Sequence, residues 1–135
     1  MTTTQCDPTP APTDLVIAIL HEVLSKLRNL VATGHATSID LRRLPLTDVD
    51  SIRLRAILGQ GEVHAEFDAL GVSKISETRI AGVWLTTHAN AAGDTIGQMI
   101  DIAFVPEILA ASPSEASSAA NALATTLTEF RPPPT

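Results

Sequence analysis

From Glu62 to Ala69 the chain alternates without a break. Val63, Ala65, Phe67 and Ala69 fall on one side of an extended backbone, and Glu62, His64, Glu66 and Asp68 on the other. Successive side chains of a strand point to opposite faces, so this pattern buries one face and wets the other. Parallel strands are buried on both faces and read as continuous apolar runs, so the alternation points to an antiparallel sheet. Gly71 marks a tight turn after this strand. Extended runs follow at Val72 to about Thr78 and at Ile80 to His88, as two strands or as one with a bulge near Gly82. Asn90–Gly93 is the next turn. A last strand from Thr95 to Val105 puts Ile96, Ile100, Ile102 and Phe104 on one face, and Pro106 ends it.

Helical patterns flank this region. Thr13 or Asp14 can cap a helix to about Ala32, with Val16, Leu20, Val23, Leu27, Leu30 and Val31 as its apolar stripe and Gly34 as its terminator. A short strand is expected over Thr37–Leu41, then a turn at Arg42–Pro45. Thr47 and Asp50 form a capping-box pattern opening a second helix, with Val49, Ile52 and Ala56 on its inner face and a stop at Leu58-Gly59. The last helix has the clearest start: Ser112 at the N-cap, Pro113 at N1 and Glu115 at N3. Its stripe, Ala116, Ala120, Leu123, Leu127 and Phe130, is narrow and alanine-rich. Packing within the chain is the expectation, because long two-subunit seams usually carry Leu or Ile throughout; a homodimer seam is the alternative. The fold class is therefore α+β: an antiparallel sheet of four or five strands, covered on one face by the N-terminal long helix and the C-terminal helix. Residues 1–12 read as a disordered leader, 13–130 as a single domain and 131–135 as a tail.

Composition narrows the partners. The net charge of −6 disfavours nucleic acid, because phosphate binding needs clustered Lys and Arg, and here only Arg42, Arg43, Arg53 and Arg55 group locally. With three Phe, one Trp and no Tyr, little is left for base stacking. No apolar run approaches the ~18 residues of a membrane span, and no basic-then-apolar signal opens the chain. The expectation is a cytoplasmic protein without membrane insertion. The single cysteine, Cys6, precludes an internal disulfide and has no cationic neighbour to activate it.

Catalytic patterns are absent. No nucleophile elbow or phosphate loop occurs, and Gly59-Gln60-Gly61 leads into a strand rather than a helix. Glu62, His64 and Glu66 project together from the first sheet strand, and His88 on a neighbouring strand could join them as a mixed oxygen and nitrogen donor set. The expected role of that face is a solvated surface whose charges block edge pairing, with no metal and no cofactor. Glu77 and Arg79 lie between two strand segments near Trp84, and Trp and Arg are enriched at interface hot spots. Glu62, His64, Glu77, Arg79 and Trp84 are thus the candidate protein-binding residues, although Trp84 reads more readily as a core residue. Asp101 is a candidate partner for Arg79. A small-molecule or metal-binding role for the acidic strand face and a homodimeric structural module are the rival readings.

Five pieces in order carry a resemblance: Ile39-Asp40-Leu41 with Leu44-Pro45, Leu58-Gly59-Gln60-Gly61-Glu62-Val63, Ile75-Ser76-Glu77-Thr78, Gly82-Val83-Trp84, and Asp101-Ile102-Ala103-Phe104-Val105-Pro106. Together they resemble the HupH/HyaF family of hydrogenase expression proteins, over about Leu15 to Ala111. Asp101 stands where the family tends to have Glu. Members typically carry two related copies of the domain, so this sequence looks like a relative with a single copy of the C-terminal type. The resemblance implies a non-enzymatic accessory protein, a chaperone or assembly factor in nickel–iron hydrogenase maturation. Its implied partner is a hydrogenase subunit precursor, the iron–sulfur small subunit, or another maturation protein. No catalytic or metal-ligating residue is carried over.

Overall fold

Thr13 opens the first helix, α1 (Asp14–Thr33), by accepting the Val16 N–H on its hydroxyl. At the other end Gly34 adopts the left-handed conformation and donates to the Leu30 carbonyl at 2.7 Å. The computed structural model describes residues 13–68 and 70–130; the leader and tail expected over 1–12 and 131–135 lie outside the described residues. Val16, Ile19, Val23 and Leu30 are the buried stripe of α1, with Leu20 and Leu27 packed at its margin. Val31, expected in that stripe, is exposed. It follows Leu30 directly, and adjacent helical residues point some 100° apart.

After the edge strand β1 (Thr37–Asp40) and a short 3₁₀ turn, Thr47 caps α2 (Asp48–Leu58). The capping box is present in full: the Asp50 N–H donates to the Thr47 hydroxyl and the Thr47 N–H to the Asp50 carboxylate, both at 3.1 Å. The Thr13 hydroxyl donates to the same carboxylate at 2.9 Å, tying the starts of the two helices together. Buried Asp50 keeps its carboxyl below the ordinary carboxylate range, chiefly through the Thr47 N–H and then the Thr13 hydroxyl. That tether sets the rotation of α2. Asp50, Leu54 and Leu58 face inward, whereas Val49, Ile52 and Ala56, expected on the inner face, are exposed.

The sheet is completed by β2 (His64–Asp68), β3 (Val72–Glu77), β4 (Val83–Ala89) and β5 (Thr95–Ile102). Every pairing is antiparallel and the order is β1-β5-β4-β3-β2. The run around Gly82 is thus a hairpin of two strands, and the one register shift between them and β5 falls at His88/Ala89. That shift, at the frayed start of β5, leaves Ile96 exposed; Phe104, beyond the last ladder pair, is also exposed. Ile100 and Ile102 reach the core as expected. Ile39 stands opposite Ile100, Val83 opposite Ile102 and Leu85 opposite Ile100, so these side chains share one face. Helices α1 and α2 cover this part of the sheet, and the core lies between. The same face continues through Ser76, Lys74, His64 and Glu66 on β3 and β2. There it is polar and open beside α2.

The α+β class, the antiparallel sheet and both long helices are as expected. One layer differs. The C-terminal helix, α3 (Pro113–Phe130), has no buried residue, and the second cover of the sheet is α2. The chain leaves β5 onto the opposite face: Pro106, Glu107 and Ile108 share a cleft with Thr86, Met99 and Asp101. From there α3 cannot join α1 over the core.

Candidate functional site

The loop leaving α2 and the turn joining β3 to β4 are laced together by backbone. The Arg79 N–H donates to the Leu58 carbonyl at 2.9 Å and the Gly61 N–H to the Glu77 carbonyl at 2.7 Å. Two glycines allow this approach. A Cβ on Gly59 would stand 2.6 Å from Cγ, Cδ and Nε of Arg79. One on Gly61 would stand 2.6 Å from Oε1 of Glu77 and 2.8 Å from the Thr78 carbonyl oxygen. Thr78, buried between Glu77 and Arg79, donates from its hydroxyl to the Val83 carbonyl at 2.8 Å and accepts the Ile80 N–H at 3.1 Å. Glu77 and Arg79 therefore project from a turn that is pinned from inside.

They border a groove of about 520 Å³ between α2 and the open half of the sheet. Ile52, Arg55 and Ala56 form the helical wall, while Leu85, Ser76, Lys74 and Thr87 form the floor. Gly59, Gln60, Glu77 and Arg79 close one end. Three cations thus meet one carboxylate on a half-apolar floor, in a chain of net charge −6. Among the described residues the ion pairs are Lys26–Glu22 at 3.6 Å and Arg43–Asp40 at 3.4 Å. Arg55, Lys74 and Arg79 are in neither, although Glu66 stands opposite Lys74 in the register. A guanidinium held at the rim of a half-apolar floor is suited to carboxylates, which it grips with two parallel hydrogen bonds.

Of the five residues singled out from sequence, Glu77 and Arg79 line the groove. His64 adjoins it on β2, its Nδ1 3.2 Å from the hydroxyl of Ser76. Glu62 is exposed in the loop just before β2. Trp84 does not join them. It stands opposite Glu77 in the register but points to the face away from the groove floor of Leu85 and Ser76, is 6% exposed, and donates from its indole N–H to the Ala103 carbonyl at 3.1 Å. Asp101 stands opposite Trp84 and accepts from the Thr86 hydroxyl, so it is far from Arg79 in register and the expected pair does not form. His88 also faces away from Glu62, His64 and Glu66, with its Nδ1 2.7 Å from the Ser73 hydroxyl. Among the described residues no three His, Cys, Asp or Glu side chains converge as metal ligands would. Arg55, Lys74 and Ile52 were not expected at the site: Ile52 read as a packing residue and Arg55 as part of a local basic group. Lys74 and Ser76 do alternate with Ser73 and Ile75 along β3, but nothing local brings them to α2.

The fold and site together define a class: a small α+β module with half its sheet covered and a cation-lined groove on the other half. Residues 16–130 match the family model described as HupH hydrogenase expression protein, C-terminal conserved region, and the chain belongs to that family. It is 27% identical over 107 residues to the hydrogenase-1 operon protein HyaF of Escherichia coli (strain K12), a match covering 79% of this chain and 37% of that protein. To the hydrogenase expression/formation protein HoxQ of Azotobacter vinelandii it is 30% identical over 95 residues, covering 70% of this chain and 33% of the relative. The chain thus spans about a third of the length of these relatives. The solved structure of the hydrogenase expression protein HupH from Thiobacillus denitrificans ATCC 25259 superposes with a TM-score of 0.81 at 38% identity, covering 88% of this chain and 99% of that one. The resemblance read from the five sequence pieces is confirmed. Three of those pieces, Leu58–Val63, Ile75–Thr78 and Gly82–Trp84, build the laced loop and turn at the end of the groove.

Proposed function

We propose that this chain is a cytoplasmic accessory protein in the expression and maturation of nickel–iron hydrogenase, and that it binds a hydrogenase subunit precursor, the iron–sulfur small subunit foremost. Family membership supports the pathway. The observation that carries the binding role is the groove beside α2, with three cations that pair with no carboxylate among the described residues, around a half-apolar floor. Its volume lies within the roughly 300–1,000 Å³ of ordinary ligand clefts, enough for a few residues of a client chain. Glu77 and Arg79 are the contact residues at its closed end, with His64 and Glu62 on the adjoining strand and loop. Trp84 supports that surface from the opposite face rather than touching the client. No step of bond chemistry is assigned, and the work of the site is capture. No helix among the described residues is long and apolar enough to cross a membrane, in keeping with a client met in the cytoplasm.

Co-purification tests the proposal. Tagged chain expressed in a hydrogenase-producing cell should retain a subunit precursor, and R55E/R79E should lose it while keeping the wild-type circular dichroism spectrum. Retention undiminished by R55E/R79E would remove the groove from the contact. Failure of the wild-type chain to retain any hydrogenase subunit would sink the client-binding role altogether.

A further inference from the structure

The helix α3 presents an unusual surface. All of its residues from Pro113 to Phe130 are exposed, yet only Glu115 and Glu129 are charged. A helix bathed in water normally carries charge on most of its circumference. Ser and Thr at six positions lower its intrinsic propensity, so an isolated segment of this length is marginal without packing. The hydroxyls of Thr125 and Thr126 turn back onto the carbonyls of Asn121 and Ala122 at 3.2 and 3.1 Å, which leaves that flank less polar than its composition suggests. Along one side run Ala116, Ala120, Leu123, Leu127 and Phe130, at steps of four and three. That is the heptad spacing of a helix that packs on another helix. Leu123, Leu127 and Phe130 are 59%, 57% and 75% exposed.

The order of sizes along the stripe identifies the partner. Small residues occupy its first half and large ones its second. Against a copy of itself running antiparallel, Ala116 meets Phe130, Ala120 meets Leu127, and Leu123 meets its own copy at the twofold axis. Leu127 and Phe130 then each face an alanine, with only the Leu123 pair large against large at the centre; a parallel pair would crowd Phe130 on Phe130 and leave gaps at the alanines. Antiparallel alignment also opposes the two helix dipoles favourably. We propose that a second copy of this chain covers α3, through an antiparallel α3–α3 seam centred on Leu123.

Five positions a side, two of them alanine, fall short of the roughly 800 Å² per partner of a standard interface. The root of α3 adds to them. Phe104, Val105 and Ile108 are each more than half exposed just before the helix, at the end where the partner's last turn would arrive. The result is a reversible dimer that forms with rising concentration. Family membership extends to this helix, since the matched residues run to 130.

Sedimentation velocity on the full chain over a wide concentration range tests this. Wild type should shift from monomer to dimer, and L123E and L123K should each weaken self-association by about tenfold or more, because the twofold axis places like charges side by side. Mixing L123E with L123K should restore dimer, as a heterodimer, with unchanged circular dichroism confirming that all three proteins are folded. A wild-type chain that stays monomeric throughout would overturn the proposal. So would an L123E variant that dimerises like wild type, or a mixture that regains no association.

Discussion

Replacing Gly59 by alanine should do two separable things. With φ +70° and ψ −168°, Gly59 lies in a region of backbone space almost reserved for glycine, so alanine there costs about 1–3 kcal/mol. Part of that, about 0.4–1 kcal/mol, is offset because alanine also restricts the unfolded chain. The new Cβ would stand 2.6 Å from Cγ, Cδ and Nε of Arg79. These atoms belong to a long exposed side chain, which swings away at the price of about 0.5–1.5 kcal/mol of rotamer strain. The double-mutant cycle with R79A isolates that second part: G59A should cost about 0.5–1.5 kcal/mol less when Arg79 is already alanine. Urea unfolding reads both, with Trp84 fluorescence as the probe; a loss of 2 kcal/mol moves the midpoint by about 1 M for a slope near 2 kcal/mol per M. Gly61→Ala supplies the contrast. Its obstacle is the Thr78 backbone carbonyl inside the pinned turn, so its cost should not change in the R79A background. If G59A costs the same with and without Arg79, the guanidinium does not lie across Gly59 and the end wall of the groove is drawn wrongly.

Asp50 has its carboxyl lowered from the ordinary 3.8, so its hydrogen bonds stabilise the fold at pH above that value and are lost as pH falls through the lower folded one. D50N should accordingly be less stable than wild type at neutral pH, with the gap in Tm closing on acidification below about pH 4. Leu58→Ala, at a fully buried site, should cost about 2–5 kcal/mol, whereas Ile52→Ala on the groove wall should stay within about 0.5 kcal/mol of wild type. Comparable losses at both in urea titrations would mean that α2 is rotated relative to its place here. Trp84→Phe removes the donor to the Ala103 carbonyl and should lower stability by about 1–3 kcal/mol through the unsatisfied acceptor and lost volume, measured in the same way but by circular dichroism.

What the sequence made legible was what local chemistry decides. The caps at Thr13, Thr47 and Ser112, the alternation through β2 and the stops at Gly34 and Gly59 depend on residues within a few positions of one another. The inner face of α2 does not. Val49, Ile52 and Ala56 repeat at helical spacing just as Asp50, Leu54 and Leu58 do, and a carboxylate at the head of the second set argues for the solvent side. Thr13, in another helix, reverses that choice by bonding Asp50 inside. The missing pair between Asp101 and Arg79 has the same origin. Glu77 and Arg79 could be read as projecting from a turn, but the place of Asp101 follows from its pairing with Trp84 on another strand, outside any local pattern. Arg55 and Lys74 became site residues only because α2 lies along β3.

The two surfaces left open by this fold are on opposite sides of it. The groove belongs to the face that α1 and α2 partly cover, near β2 and β3. Helix α3 departs from the other face, where Pro106, Glu107 and Ile108 meet Met99 and Asp101. Self-association through α3 therefore leaves both grooves of a dimer accessible, and a dimer offering two equal grooves gains avidity only for a client that presents two matching segments. The two surfaces should then respond to separate substitutions. R79E should weaken retention of the precursor without altering sedimentation, and L123E should shift the chain toward monomer while that monomer still retains its client. Loss of both properties through either substitution would show that the seam and the groove are a single surface, in conflict with the strand order that separates them.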